Sequence, residues 1–201
     1  MSSTFEHYEN HLASVYAWMA GGIDSAVSRG QQELTDVGVL GGGAKYAVDL
    51  GAGFGMHSIP STRSGCSVLA IDTSGFLLDQ LRNYADGASV ATAQDDLRNF
   101  AHYLPGEPEV VLCMGDTLTH LPEMSSVQAL ISSVGENISP GGRFVITVRD
   151  YSTAPEGTNR FIPVRSDESR ICTCVLEYAE STIQVHDVLH ERKEEGWVMR
   201  G

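Results

Sequence analysis

The 201-residue chain has no apolar run approaching the ~18 residues that a membrane span needs. Its first residues, Met1-Ser2-Ser3-Thr4-Phe5-Glu6, have neither the basic n-region nor the apolar h-region of a secretory leader, so a cytoplasmic protein without membrane partners is expected. Basic residues are scarce, 13 Lys and Arg against 26 Asp and Glu, a net charge of -13. That balance repels a phosphate backbone and argues against nucleic acid as a partner. Cysteine is sparse too: Cys66, Cys113, Cys172 and Cys174 form no C-x-x-C pair. Cys172 and Cys174 would share one face of a strand, but no matching His or Cys pair accompanies them, so buried reduced thiols are expected and no metal. Repeats, linkers and low-complexity tracts are also missing, which leaves a single domain over 1–201.

What is present alternates. Hydrophobic residues make up 42% of the chain, enough for a sizeable core. Over 5–20, Phe5, Tyr8, Leu12, Val15, Tyr16 and Met19 recur at helical spacing, and Asp24 or Ser25 can cap a second helix to about Val37. These N-terminal helices (1–40) precede a core over 44–150 with strands expected at 45–50, 66–72, 89–94, 109–114 and 142–149, and helices near 56–63, 75–85, 96–103 and 123–138. Such alternation predicts an α/β fold, a Rossmann-like, doubly wound and mostly parallel sheet. Beyond about 160 the pattern changes to strand-like segments at Arg170–Tyr178, Thr182–Arg192 and Trp197–Arg200, joined by connections short enough only for antiparallel pairing.

The most informative stretch is Asp49-Leu50-Gly51-Ala52-Gly53-Phe54-Gly55-Met56, followed by a second strand that closes on Asp72. A glycine-rich turn between strand and helix lets a ligand approach backbone N–H groups closely. Asp72, at the end of the neighbouring strand, is placed to accept hydrogen bonds from a vicinal diol, or else to cap the helix starting near Ser74. The spacing is G-x-G-x-G and not the G-x-G-x-x-G of dinucleotide binders, because the third glycine of that fingerprint would fall on Met56.

With Asp49 ahead of it, this turn resembles the first motif of class I S-adenosylmethionine (SAM) dependent methyltransferases. Two further motifs carry the resemblance toward the glycine N-methyltransferase-like small-molecule group: Cys113-Met114-Gly115-Asp116-Thr117-Leu118-Thr119-His120-Leu121, and Pro140-Gly141-Gly142 leading to Arg149-Asp150-Tyr151. The resemblance implies SAM as cofactor. Asp49 would be among the cofactor-binding residues; Gly51, Gly53 and Gly55 would seat the cofactor's amino-acid portion, Asp72 its ribose, and Asp96 with Leu97 its adenine, while the Met114 backbone would hold its amino group. It also implies that the N-terminal helix, with Tyr16 and Trp18, forms a lid over the cofactor and that the segment 160–200 is a strand-rich substrate cover. Asp116 and Arg149 become the catalytic candidates, Arg149 as clamp for a carboxylate on a small-molecule acceptor. Helix capping for Asp96, surface ion pairing for Arg149 and ordinary packing for Tyr16 stay open, as do acid–base and structural roles for His120.

The chain departs from the pattern twice. Asp116 stands where the resembling enzymes carry asparagine, so an acceptor cannot be inherited. The resemblance also implies a final helix and two strands after the cover, which a chain stopping at Gly201 is expected to lack, leaving a flank for a homo-oligomer to cover. The competing reading is a SAM or S-adenosylhomocysteine binding protein without catalysis.

Overall fold

Short runs of aliphatic and β-branched residues build β1 (Tyr46–Leu50), β2 (Ser67–Asp72), β3 (Val90–Gln94), β4 (Val110–Cys113) and β5 (Arg143–Ile146), all parallel, in the order β3-β2-β1-β4-β5. The central strands β1, β2 and β4 are almost wholly buried and β3 and β5, at the two ends, less so. This is the burial expected of a parallel sheet covered on both faces. The computed structural model describes residues 12–85, 89–180 and 182–200. These fall into two compact units, Met1–Arg149 and Asp150–Gly201.

The helices of the first unit are α1 (Ala13–Met19), α2 (Ile23–Asp36), α3 (Ser58–Arg63), α4 (Gly75–Ala85) and α5 (Met124–Asn137). Side-chain alternation along the strands divides the core. Val48, Leu50, Leu69, Ile71, Val111 and Cys113 pack with Phe100 and with Leu130 and Val134 of α5. The intervening residues meet the other helices: Ala47, Val68, Val110 and Leu112 pack with Leu34 of α2, and Ala70 with Ile59 of α3 and Leu78 and Leu81 of α4. Chain order reverses between β1 and β4, which in open sheets of this kind opens a crevice at the carboxyl ends of the strands.

Several expectations are refined. The helix expected from residue 5 is seen as Ala13–Met19; Phe5 and Tyr8 lie outside the described residues. Neither Asp24 nor Ser25 caps α2, because the chain enters it through Gly22 at φ 91, with Asp24 in the first turn, where its charge faces the positive helix end. The helix expected over 56–63 starts at Ser58, the glycine turn occupying the residues before it. The segment expected as a helix over 96–103 is a 3-10 helix, Leu97–Tyr103, with Asp96 as its N-cap. The last strand stops at Ile146 rather than 149, since Thr147 turns to serve the loop after β4: its hydroxyl accepts the Gly115 N–H at 2.8 Å and its carbonyl the Asp116 N–H at 3.1 Å.

The second unit is an antiparallel meander of β6 (Phe161–Ser166), β7 (Arg170–Tyr178), β8 (Ile183–Lys193) and β9 (Gly196–Arg200) in chain order, preceded by a 3-10 turn at Gly157–Arg160. Cys172, Cys174 and Leu176 of β7 alternate onto one face with Leu189 of β8, and all four are buried. The four cysteines form no disulfide and are buried. Burial pushes the thiols of Cys66 and Cys172 up to about 11 and that of Cys113 up to about 12. At neutral pH they are packing groups and not nucleophiles.

Candidate cofactor and acceptor site

The carboxyl ends of all five parallel strands carry the polar residues singled out in the sequence. At the end of β1 the three glycines do different work. A Cβ on Gly51 would overlap Thr117 in the loop after β4, and one on Gly55 would overlap Leu81 of α4. Those two glycines let neighbouring elements close on the turn. Gly53, at φ +53, is different: a Cβ there would meet nothing nearer than the Tyr16 ring at 3.8 Å. The turn is thus open at Gly53, bounded by an aromatic ring. Tyr16 packs edge-on against the buried Phe54, with ring centroids 5.8 Å apart.

Asp72 joins this turn to the next strand's loop. Its Oδ2 accepts the Gly53 N–H and its Oδ1 the Ser74 N–H, both at 2.8 Å. The carboxylate therefore braces the entry to α4, whose first turn is capped by Ser74 Oγ accepting the Leu77 N–H at 3.4 Å, and it also fixes the open glycine. Each carboxylate oxygen can accept more than one hydrogen bond, so ribose hydroxyls and backbone donors can share it. Asp49, by contrast, is 1% exposed and lies beneath the turn, where Ser58 Oγ donates to its Oδ2 at 2.6 Å. Burial raises its carboxyl above the ordinary range, against the opposing pull of His57 and Ser58. Next to it His57, also buried, meets Glu33 of α2 at 2.8 Å.

At the end of β3, Asp96 receives the Arg98 N–H and Nε at 2.9 Å and Nη2 at 2.6 Å. The Arg98 guanidinium holds its carboxyl below the usual range. The preceding Asp95 accepts from Asn99 and Tyr103, which lowers it as well. Leu97, beside them, is half-buried against the core. After β4 the buried Met114 offers its carbonyl to Thr117 Oγ1 at 2.9 Å. His120 ends the 3-10 turn Thr117–His120 and is exposed.

Asp116 and Arg149, far apart in sequence, come together. Asp116 is the one non-glycine residue with positive φ (70°) among the described residues. Its Oδ1 accepts the Arg149 N–H at 2.5 Å and its Oδ2 pairs with Nε at 2.8 Å, with the Asp116 side chain 9% exposed and the Arg149 side chain 69%. A left-handed aspartate costs on the order of 1–3 kcal/mol, which these bonds and the two from Thr119 to its carbonyl offset.

Sequence reasoning missed Thr117, Thr147, Arg98 and the Glu33–His57 contact. Arg98 alone left a local signal: an arginine two residues after a helix-capping aspartate can fold back on it.

The open glycine, the adjoining carboxylate and the flanking aromatic ring fit a ligand with a polar amino-acid end and a ribose. Among the described residues there is no cluster of three metal-ligating side chains and no helix long and apolar enough to cross a membrane. Residues 47–142 match the family described as a methyltransferase domain. A ubiquinone biosynthesis O-methyltransferase of Methylococcus capsulatus is 35% identical over 100 residues, 49% of this chain and 40% of the relative. A glycine/sarcosine N-methyltransferase of Parasynechococcus marenigrum is 26% identical over 117 residues, 57% of this chain and 42% of the relative. The matched stretches thus span well under half the length of these two relatives. In fold, the CcbJ methyltransferase of Streptomyces caelestis superposes with a TM-score of 0.76 at 20% identity, covering 98% of this chain and 78% of that one. Sheet order, glycine turn and domain match agree: residues 47–142 are similar to a methyltransferase domain, and the chain has the Rossmann-like fold of the methyltransferases it superposes on.

Proposed function

We propose that the chain transfers a methyl group from SAM to a small-molecule acceptor, an amine or amino acid that bears an anionic group. The observation that carries the acceptor class is the exposed Arg149 guanidinium, anchored on the buried Asp116 at the carboxyl end of the sheet. A planar guanidinium suits bidentate recognition of a carboxylate. Bound SAM supplies an electrophilic methyl on a sulfonium with a neutral thioether as leaving group, so the protein's task is alignment and exclusion of water. In this reading Gly51, Gly53 and Gly55 shape the seat for the amino-acid portion, and the Met114 carbonyl lies toward its amino group. Asp72 takes the ribose hydroxyls. Asp96, through the capacity that Arg98 leaves it, and Leu97 frame the adenine, and Tyr16 covers the turn. Arg149 holds the acceptor's anion so that its nucleophile lies in line with the methyl carbon.

Two measurements test this. Asp72→Ala is expected to weaken SAM binding by at least about tenfold in calorimetry, the scale of a lost charge-assisted pair of hydrogen bonds, with circular dichroism unchanged. Unaltered affinity in a folded variant overturns the ribose assignment. Transfer of labelled methyl groups to paired amines with and without a carboxylate is expected only for the anionic member of each pair, and binding of SAM without turnover on any member would favour the non-catalytic alternative.

A further inference from the structure

We infer that Asp116 is a positioning residue for Arg149: its carboxylate orients the guanidinium toward the acceptor's anion and does not itself receive the acceptor amine. The inference rests on the acceptor reading above and deepens it. Three observations point the same way. Both carboxylate oxygens face Arg149, one toward its backbone N–H and one toward Nε. The Asp116 side chain is 9% exposed, so an incoming ammonium would have to displace a partner already in place from a carboxylate nearly closed to solvent. The backbone is held for this purpose. Asp116 sits at φ 70, with its N–H on the Thr147 carbonyl and its own carbonyl taken by Thr119, which fixes the direction in which the carboxylate leaves the chain.

The consequence is geometric. A guanidinium presents two forked edges, and engaging Nε on Asp116 leaves the edge formed by Nη1 and Nη2 for a second, bidentate partner. The Arg149 side chain is 69% exposed, so that edge is within reach of solvent-borne anions. An aspartate in this place can grip a guanidinium Nε by charge as well as by hydrogen bond, where an asparagine would offer a neutral acceptor. Specificity then lies in the acceptor's anion.

The test uses 15N-labelled protein saturated with S-adenosylhomocysteine. The Arg149 Nε–Hε resonance, identified by its loss in Arg149→Lys, is followed through exchange and through titration with acetate, sarcosine and methylamine. In the wild type the resonance is expected to be protected and to shift with acetate and sarcosine but not with methylamine. In Asp116→Asn, which keeps an acceptor for the Arg149 N–H and tolerates the left-handed backbone, protection should be lost and acetate binding weakened by about tenfold. Asp116→Gly, suited to φ 70, should behave alike and serves if the asparagine variant does not fold. Equal acetate binding to wild type and variant overturns the positioning role while the anion clamp stands. No acetate response in a wild type that protects Nε overturns the clamp, and the inference with it. Methylamine binding that Asp116→Asn abolishes overturns the inference in favour of direct amine recognition.

Discussion

Asp49 shows how one residue can look like a ligand contact in sequence and sit beneath the site in structure. Its carboxyl is 1% exposed, bonded to Ser58 Oγ and near His57, and burial raises it above its unfolded value. A carboxyl raised in the folded state holds its proton to higher pH than in the unfolded chain, so its contribution to stability is lost as pH rises from about 3.9 toward the folded value. Asp49→Asn, which keeps an acceptor for Ser58, is therefore expected to melt higher than the wild type, by a margin that grows as pH rises from about 3.9 and stops growing once the folded value is passed. Thermal melts across that range check it. A margin independent of pH would mean that His57 compensates the buried charge. At this scale the sequence reveals what is local: the glycines and Asp72 stand out because spacing alone distinguishes them. The union of Asp116 with Arg149 was not legible as a contact, since it joins residues 33 apart through a loop geometry that no local pattern encodes.

Element boundaries were legible where a turn residue ended a buried run and were not where a tertiary contact decided the end. β1, β2 and β4 fall within a residue or so of the expected positions because their apolar runs are bounded by glycine or polar residues. β5 stops short because Thr147 serves the β4 loop, and the segment after Asp96 tightens to a 3-10 helix around its cap, neither of which periodicity reveals. The crossing of α2 on the glycine turn is a second hidden contact. Gly30, in the middle of α2, lies where a Cβ would overlap the Met56 carbonyl. In an exposed helix interior, glycine to alanine gains up to about 1 kcal/mol. Here the obstacle is backbone, so Gly30→Ala is expected to reverse sign and cost about 1–3 kcal/mol, the range of an overpacked core. Because Met56 belongs to the turn, SAM affinity should fall with it. Urea denaturation and calorimetry read the two effects, and a stabilised variant with unchanged SAM affinity would show that the helix shifts freely past the turn.

For the whole molecule the question is what covers β5. Among the described residues it pairs with β4 alone, and its Ile146 and the following Val148 are 36% and 54% exposed. An unpaired strand edge with apolar side chains is a template for another strand. The net charge of -13 opposes a second copy of the same chain. Repulsion of this kind reaches about 30 Å at 0.01 M salt and about 10 Å at 0.1 M, whereas strand pairing is short-ranged and little screened. Self-association is therefore expected to rise with ionic strength over that interval, the reverse of an interface held by ion pairs. Light scattering at the two salt concentrations measures it. Val148→Lys, which places charge beside the edge, should reduce it while leaving the expected SAM-induced rise in melting temperature intact, because that rise follows from mass action at the proposed cofactor seat on β1 and β2, away from the β5 edge. A monomer at both salt concentrations would show that the edge is protected within a single chain, and association that weakens with salt would assign it to charged groups elsewhere on the surface.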